Sequence, residues 1–235
     1  KNNVILLTLL LLLTINLVGF LYSYLIIKTN FFKRFKLQKR PHKIKNFYKR
    51  MPLICFNIAI LISITGLGLY YLPDHIISNY YLLDNTFKTI GIIIFEIIII
   101  LIIDDIYFYL WHRLMHENKF LYRKIHKIHH RANVPIPFEY IYVHPLEWMS
   151  GMIGPFIGMY LIGGIAFPSY CCYLIIRNIH EIHIHSGIKT SKLYRLFPFY
   201  GNNEHHDIHH SHRDGNYAST FIIWDLLFKT RLTSK

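Results

Sequence analysis

Fourteen of the sixteen histidines lie between His112 and His212, and most fall in short-range groups. WHRLMHENKFLYRKIHKIHH holds His112-x3-His116 and His126-x2-His129-His130, and NNEHHDIHH holds His206-x2-His209-His210. HEIHIHSG, with His180, His183 and His185, lies between them. Spacings of three and four stack imidazoles on one face of a helix. Neutral imidazole is the commonest nitrogen ligand for zinc, copper and iron. So many in register predict a metal site with more than one ion. His42 and His75 stand alone and read as ordinary surface residues.

Apolar runs must position these groups. Hydrophobic residues make up 53% of the 235, and they come in blocks rather than in a period. Val4 to Ile27, Pro52 to Leu72 and Thr89 to Leu110 are each long enough to cross a hydrocarbon core of ~30 Å. A fourth run, 148–176, is interrupted by Gly163, Gly164 and Pro168, which predicts a helical hairpin or re-entrant pair. The chain therefore reads as an integral membrane protein. The first run lacks a small-residue cleavage site and precedes a basic stretch, so it reads as an anchor. Cys55, Cys171 and Cys172 lie inside the runs without metal-binding spacing, as expected of buried, inert thiols.

The net charge of +13 is distributed unevenly. Ten Lys and Arg fall between Lys28 and Arg50, and only Lys88 falls in the next connection, 73–88. That bias places loop 28–50 in the cytosol, along the anionic leaflet, and brings every histidine group to the same side. A nucleic-acid partner is excluded, because the basic residues flank membrane spans and do not cover a soluble surface.

The third run leads straight into the first histidine pair. Asp105, Tyr109, His112 and His116 are spaced to share one helical face. Asp105, two turns below His112, is expected to hydrogen-bond a ligand imidazole and fix its tautomer. Asp104 reads as an interfacial residue that reaches water. His126, His129 and His130 fit a second helix, ended by Pro135 and Pro137. His144-Pro145-Leu146-Glu147 precedes the hairpin. The stretch His180 to His185 fits either a helix or an extended segment. His205 to His210 reads as helical, with His206, His209 and His210 facing together and His205 and Asp207 pointing elsewhere. His205 and His212 stay open between support and surface.

Together these residues resemble the fatty acid hydroxylase superfamily of membrane non-haem di-iron enzymes. His-x3-His, His-x2-His-His and a later His-x2-His-His occur here in that family's order. The His-Pro-x-Glu element and HSG followed by GNNEHHDIHHSHRDGNYASTFIIWDLLFKT resemble its sterol desaturase, C-4 methylsterol oxidase and cholesterol 25-hydroxylase branch. The resemblance implies an all-α integral membrane protein with about four transmembrane helices or hairpin segments. A cytosolic, histidine-rich helical cap would hold the di-iron site. It divides the chain into spans at 1–110 and a catalytic region at 105–235 that includes hairpin 148–176.

Carried over position by position, the implied ligands are His112, His116, His126, His129, His130, His185, His206, His209 and His210. His180 or His183 is a possible additional ligand, and Asp105, His144, Glu147 and Asp207 are implied supports of the ligands. The implied cofactors are two iron ions and O2. Electrons would come from NAD(P)H through cytochrome b5 or a similar carrier, since the sequence has no flavin or nicotinamide glycine fingerprint. The implied activity is oxidation or hydroxylation of a sterol or related lipid drawn from the membrane, in the endoplasmic reticulum with the site facing the cytosol. Fatty acid hydroxylases and lipid desaturases of the superfamily share the first hydrogen abstraction and the ligand motifs. A histidine-rich metal transporter would instead place its binding groups near mid-membrane, where these spans carry no histidine.

Overall fold

A computed structural model describes the chain apart from residues 40, 41, 43, 79–85, 198, 234 and 235, and apart from the side chains of Tyr194 and Arg195. Three helices are long and apolar enough to cross a membrane: α1 (Asn2–Lys28), α2 (Ile44–Tyr71) and α3 (Thr86–Glu117). The 32 residues of α3 come to about 48 Å, well beyond the ~30 Å hydrocarbon core. The helix is thus longer than one crossing needs, and its last turns carry His112 and His116. Beyond it lie α4 (Lys119–Lys124), a 3-10 turn at His126–Arg131 and another at Pro137–Ile141. The expected hairpin follows as α5 (Pro145–Gly151), α6 (Ile153–Leu161) and α7 (Phe167–Ile184). The chain ends with α8 (Asn203–His212) and the short α9 (Ile223–Leu227).

The hairpin reverses at Gly163 and Gly164, with φ of 78° and 112°. A Cβ on Gly164 would meet the His75 carbonyl oxygen at 2.2 Å, so only glycine fits there. Beside this turn, β1 (Ile77–Ser78) pairs in parallel with β2 (Ile165–Ala166). The pairing ties the hairpin tip to the connection after α2, at the end of α3 away from His112 and His116. Glu96 of α3 holds the start of α7 there, accepting from the Ala166 amide and the Ser169 hydroxyl. His75 is exposed, as expected.

Each span buries one stripe. On α1 it comprises Val4, Thr8, Leu12, Ile15, Asn16, Gly19, Ser23 and Ile26. The polar members of such stripes grip the turn at Pro137–Ile141. Asn16 Oδ1 accepts from the Tyr140 hydroxyl, Ser23 Oγ accepts from the Phe138 amide, and Asn57 Nδ2 donates to the carbonyls of Ile141 and Val143. Satisfying these groups internally is obligatory where no water reaches. The basic loop is also tied down. Leu37 N donates to Gly187 O, Lys189 N donates to Phe35 O, and Arg50 Nη2 donates to Arg131 O.

Several expectations change. Asp104 does not reach water: it is 3% exposed and accepts from the Tyr173 hydroxyl and Arg177 Nε. His42 is no free surface residue either. Its side chain is 5% exposed beside Glu139, which also holds Arg50. Cys55 is exposed on the outer face of α2 rather than buried, and all three thiols are free. Finally, His126, His129 and His130 sit on a 3-10 turn rather than an α-helix, and that turn stops at Arg131, before Pro135.

Candidate metal centre

The nine histidines converge as two sets. His112, His116, His126, His130 and His209 form one, and His129, His185, His206 and His210 form the other; within each set one ring nitrogen per residue lies within 4.8 Å of all the rest. The two His-x2-His-His motifs are split between the sets in opposite senses. At a rise of about 2 Å per residue, the 3-10 turn sets His126 and His129 about 6 Å apart along one face, enough to address neighbouring positions. On α8, His206 and His210 stack one turn apart, while His209 is rotated to the other side and joins the first set. The sets abut, with the rings of His130 and His210 centred 5.0 Å apart.

Hydrogen bonds at the far nitrogens show what the near ones present. His112 Nδ1 lies 2.7 Å from the Tyr217 carbonyl, His209 Nδ1 2.8 Å from that of Gly215, and His185 Nδ1 2.7 Å from that of Glu181. His126 Nδ1 lies 2.9 Å from Glu147 Oε1. Each carbonyl requires the proton on Nδ1, which leaves Nε2 as a bare lone pair, and Glu147 does the same for His126 when it is a carboxylate. Yet His112 Nε2 and His126 Nε2 stand 3.1 Å apart, and His126 Nε2 stands 2.8 Å from His116 Nε2 and 3.0 Å from His130 Nε2. In the second set, His206 Nε2 is 3.0 Å from His185 Nε2 and 3.1 Å from His210 Nε2. His126 Nε2 faces three imidazole nitrogens and, with either one proton or one lone pair, can share a hydrogen bond with only one of them. A cation resolves the contact: an imidazole–metal bond of ~2.1 Å puts two ligands at right angles about 3.0 Å apart. The residues fit two ions.

Burial, and after it the neighbouring imidazoles, hold His126, His129, His130, His206, His209 and His210 well below the usual histidine range. All are neutral near pH 7, the state a metal requires. Burial pushes Glu147 up to about 8. An ion on the His126 ring beside it would favour the carboxylate instead.

The supporting residues differ from expectation. Glu147 does hold His126. Asp105 does not touch His112; its oxygens accept from the amides of Thr220 and Phe221 and from Trp224 Nε1. The face was read correctly, but a segment more than a hundred residues later occupies it. His144 caps α5, accepting from the Leu146 amide, and Asp207 accepts from Gln38. His180 and His183 join neither set; His180 Nε2 hydrogen-bonds the Ser219 carbonyl. The stretch His180–His185 proves helical to Ile184. His205 pairs with Asp225, while His212 is exposed.

Sequence reasoning missed the carbonyls of Tyr217, Gly215 and Glu181, because backbone acceptors leave no residue-type signal. It also missed Asp225, which accepts from the amides of Tyr217 and Ala218 and from Thr230 Oγ1, and so fixes the loop over His112. A half-open cavity of about 210 Å³ reaches His112, His129, His185 and His206. Leu12, Leu61, Met152, Phe156 and Met159 line its apolar walls, with Asp104, Tyr173, Arg177 and Glu181 on one side.

The fatty acid hydroxylase family pattern matches residues 97–230. Methylsterol monooxygenase 1 of Rattus norvegicus is 32% identical over 220 residues, covering 92% of this chain and 71% of that protein. Methylsterol monooxygenase 1 of Danio rerio is 30% identical over 223 residues, covering 90% and 71%. A putative methylsterol monooxygenase of Dictyostelium discoideum is 33% identical over 202 residues, covering 85% and 73%. No solved structure matches the chain. With a family match over more than half its length, and relatives this similar over most of theirs, the chain belongs to the iron-dependent fatty acid hydroxylase family of oxidoreductases, in the branch that includes the methylsterol monooxygenases.

Proposed function

We propose that this membrane oxidoreductase oxidises a sterol with O2 at two iron ions. His112, His116, His126, His130 and His209 would hold one ion, and His129, His185, His206 and His210 the other. The observation that carries this reading is the pair of facing nitrogen sets opening onto an apolar cavity. When bound, the irons supply activation of O2 and oxidation of an unactivated C–H bond, which no side chain performs alone. The chain's own groups do the rest. The carbonyls of Tyr217, Gly215 and Glu181, with Glu147, keep their imidazoles in the ligating tautomer. The apolar walls admit a lipid and exclude water.

Electrons would come from an external carrier of the cytochrome b5 type, with the site facing the cytosol from the endoplasmic reticulum. The basic loop 28–50 supports that orientation. A fatty acid hydroxylase or lipid desaturase would use the same ligands, and the sterol reading is favoured by the methylsterol relatives. A transporter is disfavoured because the sets lie at the end of α3, away from mid-membrane. The test is expression in a yeast of defined sterol content, followed by mass spectrometry of extracted lipids. An O2-dependent oxidised sterol is expected; a modified acyl chain with unchanged sterols would overturn the sterol reading.

A further inference from the structure

We propose that Arg177 and Glu181 form the subsite that takes the hydroxyl of the substrate, and so determine which lipids the cavity accepts. This rests on the sterol reading above and names how that site recognises its substrate. Arg177 stands two turns before His185 on α7, lines the cavity, and has a side chain 11% exposed. Its Nε donates to Asp104 Oδ2 at 3.0 Å, and its Nη1 donates to Glu181 Oε1 and, at 3.4 Å, to Ser219 Oγ. No hydrogen bond among the described residues engages Nη2. Glu181 also lines the cavity. Its Oε1 is taken by Arg177 and Ser219, while Oε2 makes no hydrogen bond among the described residues and lies 3.7 Å from His185 Nδ1.

A purely structural ion pair at this depth would be expected to satisfy every member, because unpaired polar groups among apolar helices are costly. Here Nη2 and Oε2 are left over on side chains one turn apart, on a cavity whose remaining wall is largely apolar away from the histidines. A hydroxyl offers the matching pair, accepting from Nη2 and donating to Oε2. The charge selects further. The Arg177 charge is already answered by Asp104 and Glu181, so the subsite offers a fatty-acid carboxylate no free countercharge, whereas a neutral alcohol needs none. The apolar remainder of a sterol then lies along Leu61, Phe156 and Met159.

The experiment uses the full-length, iron-loaded protein in lipid nanodiscs, as wild type and Arg177→Lys. Lysine keeps the charge but loses the forked donor. Binding of 4-methylcholestanol is compared with 4-methylcholestane, which lacks only the hydroxyl, with the 3-methyl ether of the sterol, and with palmitate. Iron content and steady-state KM and kcat are measured alongside. Wild type should prefer the sterol over the deoxy steroid by at least ~100-fold, because a buried site built for a hydroxyl is left unpaired without one. The ether, which accepts but cannot donate, should fall between, and palmitate should not compete. Arg177→Lys should keep its iron, raise KM with kcat little changed, and cut the preference to below ~10-fold. Equal wild-type affinity for sterol and deoxy steroid would overturn the subsite while leaving the sterol reading standing. An undiminished preference in Arg177→Lys would remove Arg177 from it. Binding of palmitate but of neither steroid would overturn the sterol reading itself. The wild-type comparison needs no variant, so it decides the matter even if Arg177→Lys loses iron.

Discussion

Asp104 and Asp105 are neighbours on α3 with unrelated tasks. Asp105 suspends the 220–224 segment by three hydrogen bonds and so fixes the loop whose Tyr217 carbonyl orients His112. Asparagine at 105 would set an N–H against one of those donors. We expect Asp105→Asn to weaken iron binding by roughly 10–100-fold, the cost of disturbing a ligand's support. Asp104→Asn, whose partners Tyr173 and Arg177 lie on α7, should keep its iron. Iron titrations of the two purified variants check this, and equal losses would contradict it. The ligand histidines were legible in the sequence because their spacing repeats. The partner of Asp105 was not, since helical periodicity gives the face of a side chain and says nothing of which distant segment covers it.

Among elements, the spans and the hairpin were readable from apolar runs and from Gly163-Gly164. The allocation of His129 and His209 to opposite sets was not. It depends on the 3-10 geometry of residues 126–131, where a sequence pattern of three and four suggests an α-helix. The polar residues of the spans were equally silent. Asn57 binds two carbonyls of the segment joining His130 to α5. Asn57→Leu leaves both without a donor and should destabilise the protein by about 2–4 kcal/mol. Thermal unfolding in detergent at fixed pH measures it; an unchanged midpoint would show that the segment does not depend on α2.

Over the whole molecule, charge asymmetry carries a topology. A glycosylation acceptor inserted between Ser78 and Thr86 should be modified in the endoplasmic reticulum, and one appended after Lys235 should not; the reverse pattern would invert the orientation. The buried imidazoles also set a pH dependence. Their protonation in the folded state lies well below the usual range, so between that level and about 6.5 the unfolded chain binds protons that the folded chain refuses. Metal-free protein should lose stability as the pH falls below ~6.5, by up to about 1.4 kcal/mol per pH unit for each such imidazole, offset by one opposing contribution from Glu147, whose raised carboxyl holds its proton more tightly in the folded chain. A thermal midpoint that stays flat from pH 7 to pH 5 would contradict this.

The central claim is that two sets of nitrogens hold two ions, and the most direct measurement is iron per chain after anaerobic purification. Two sets predict about two irons in the wild type, with a loss in His206→Ala and His116→Ala alike. Full occupancy by a single ion, with one of those variants leaving it untouched, would contradict the account.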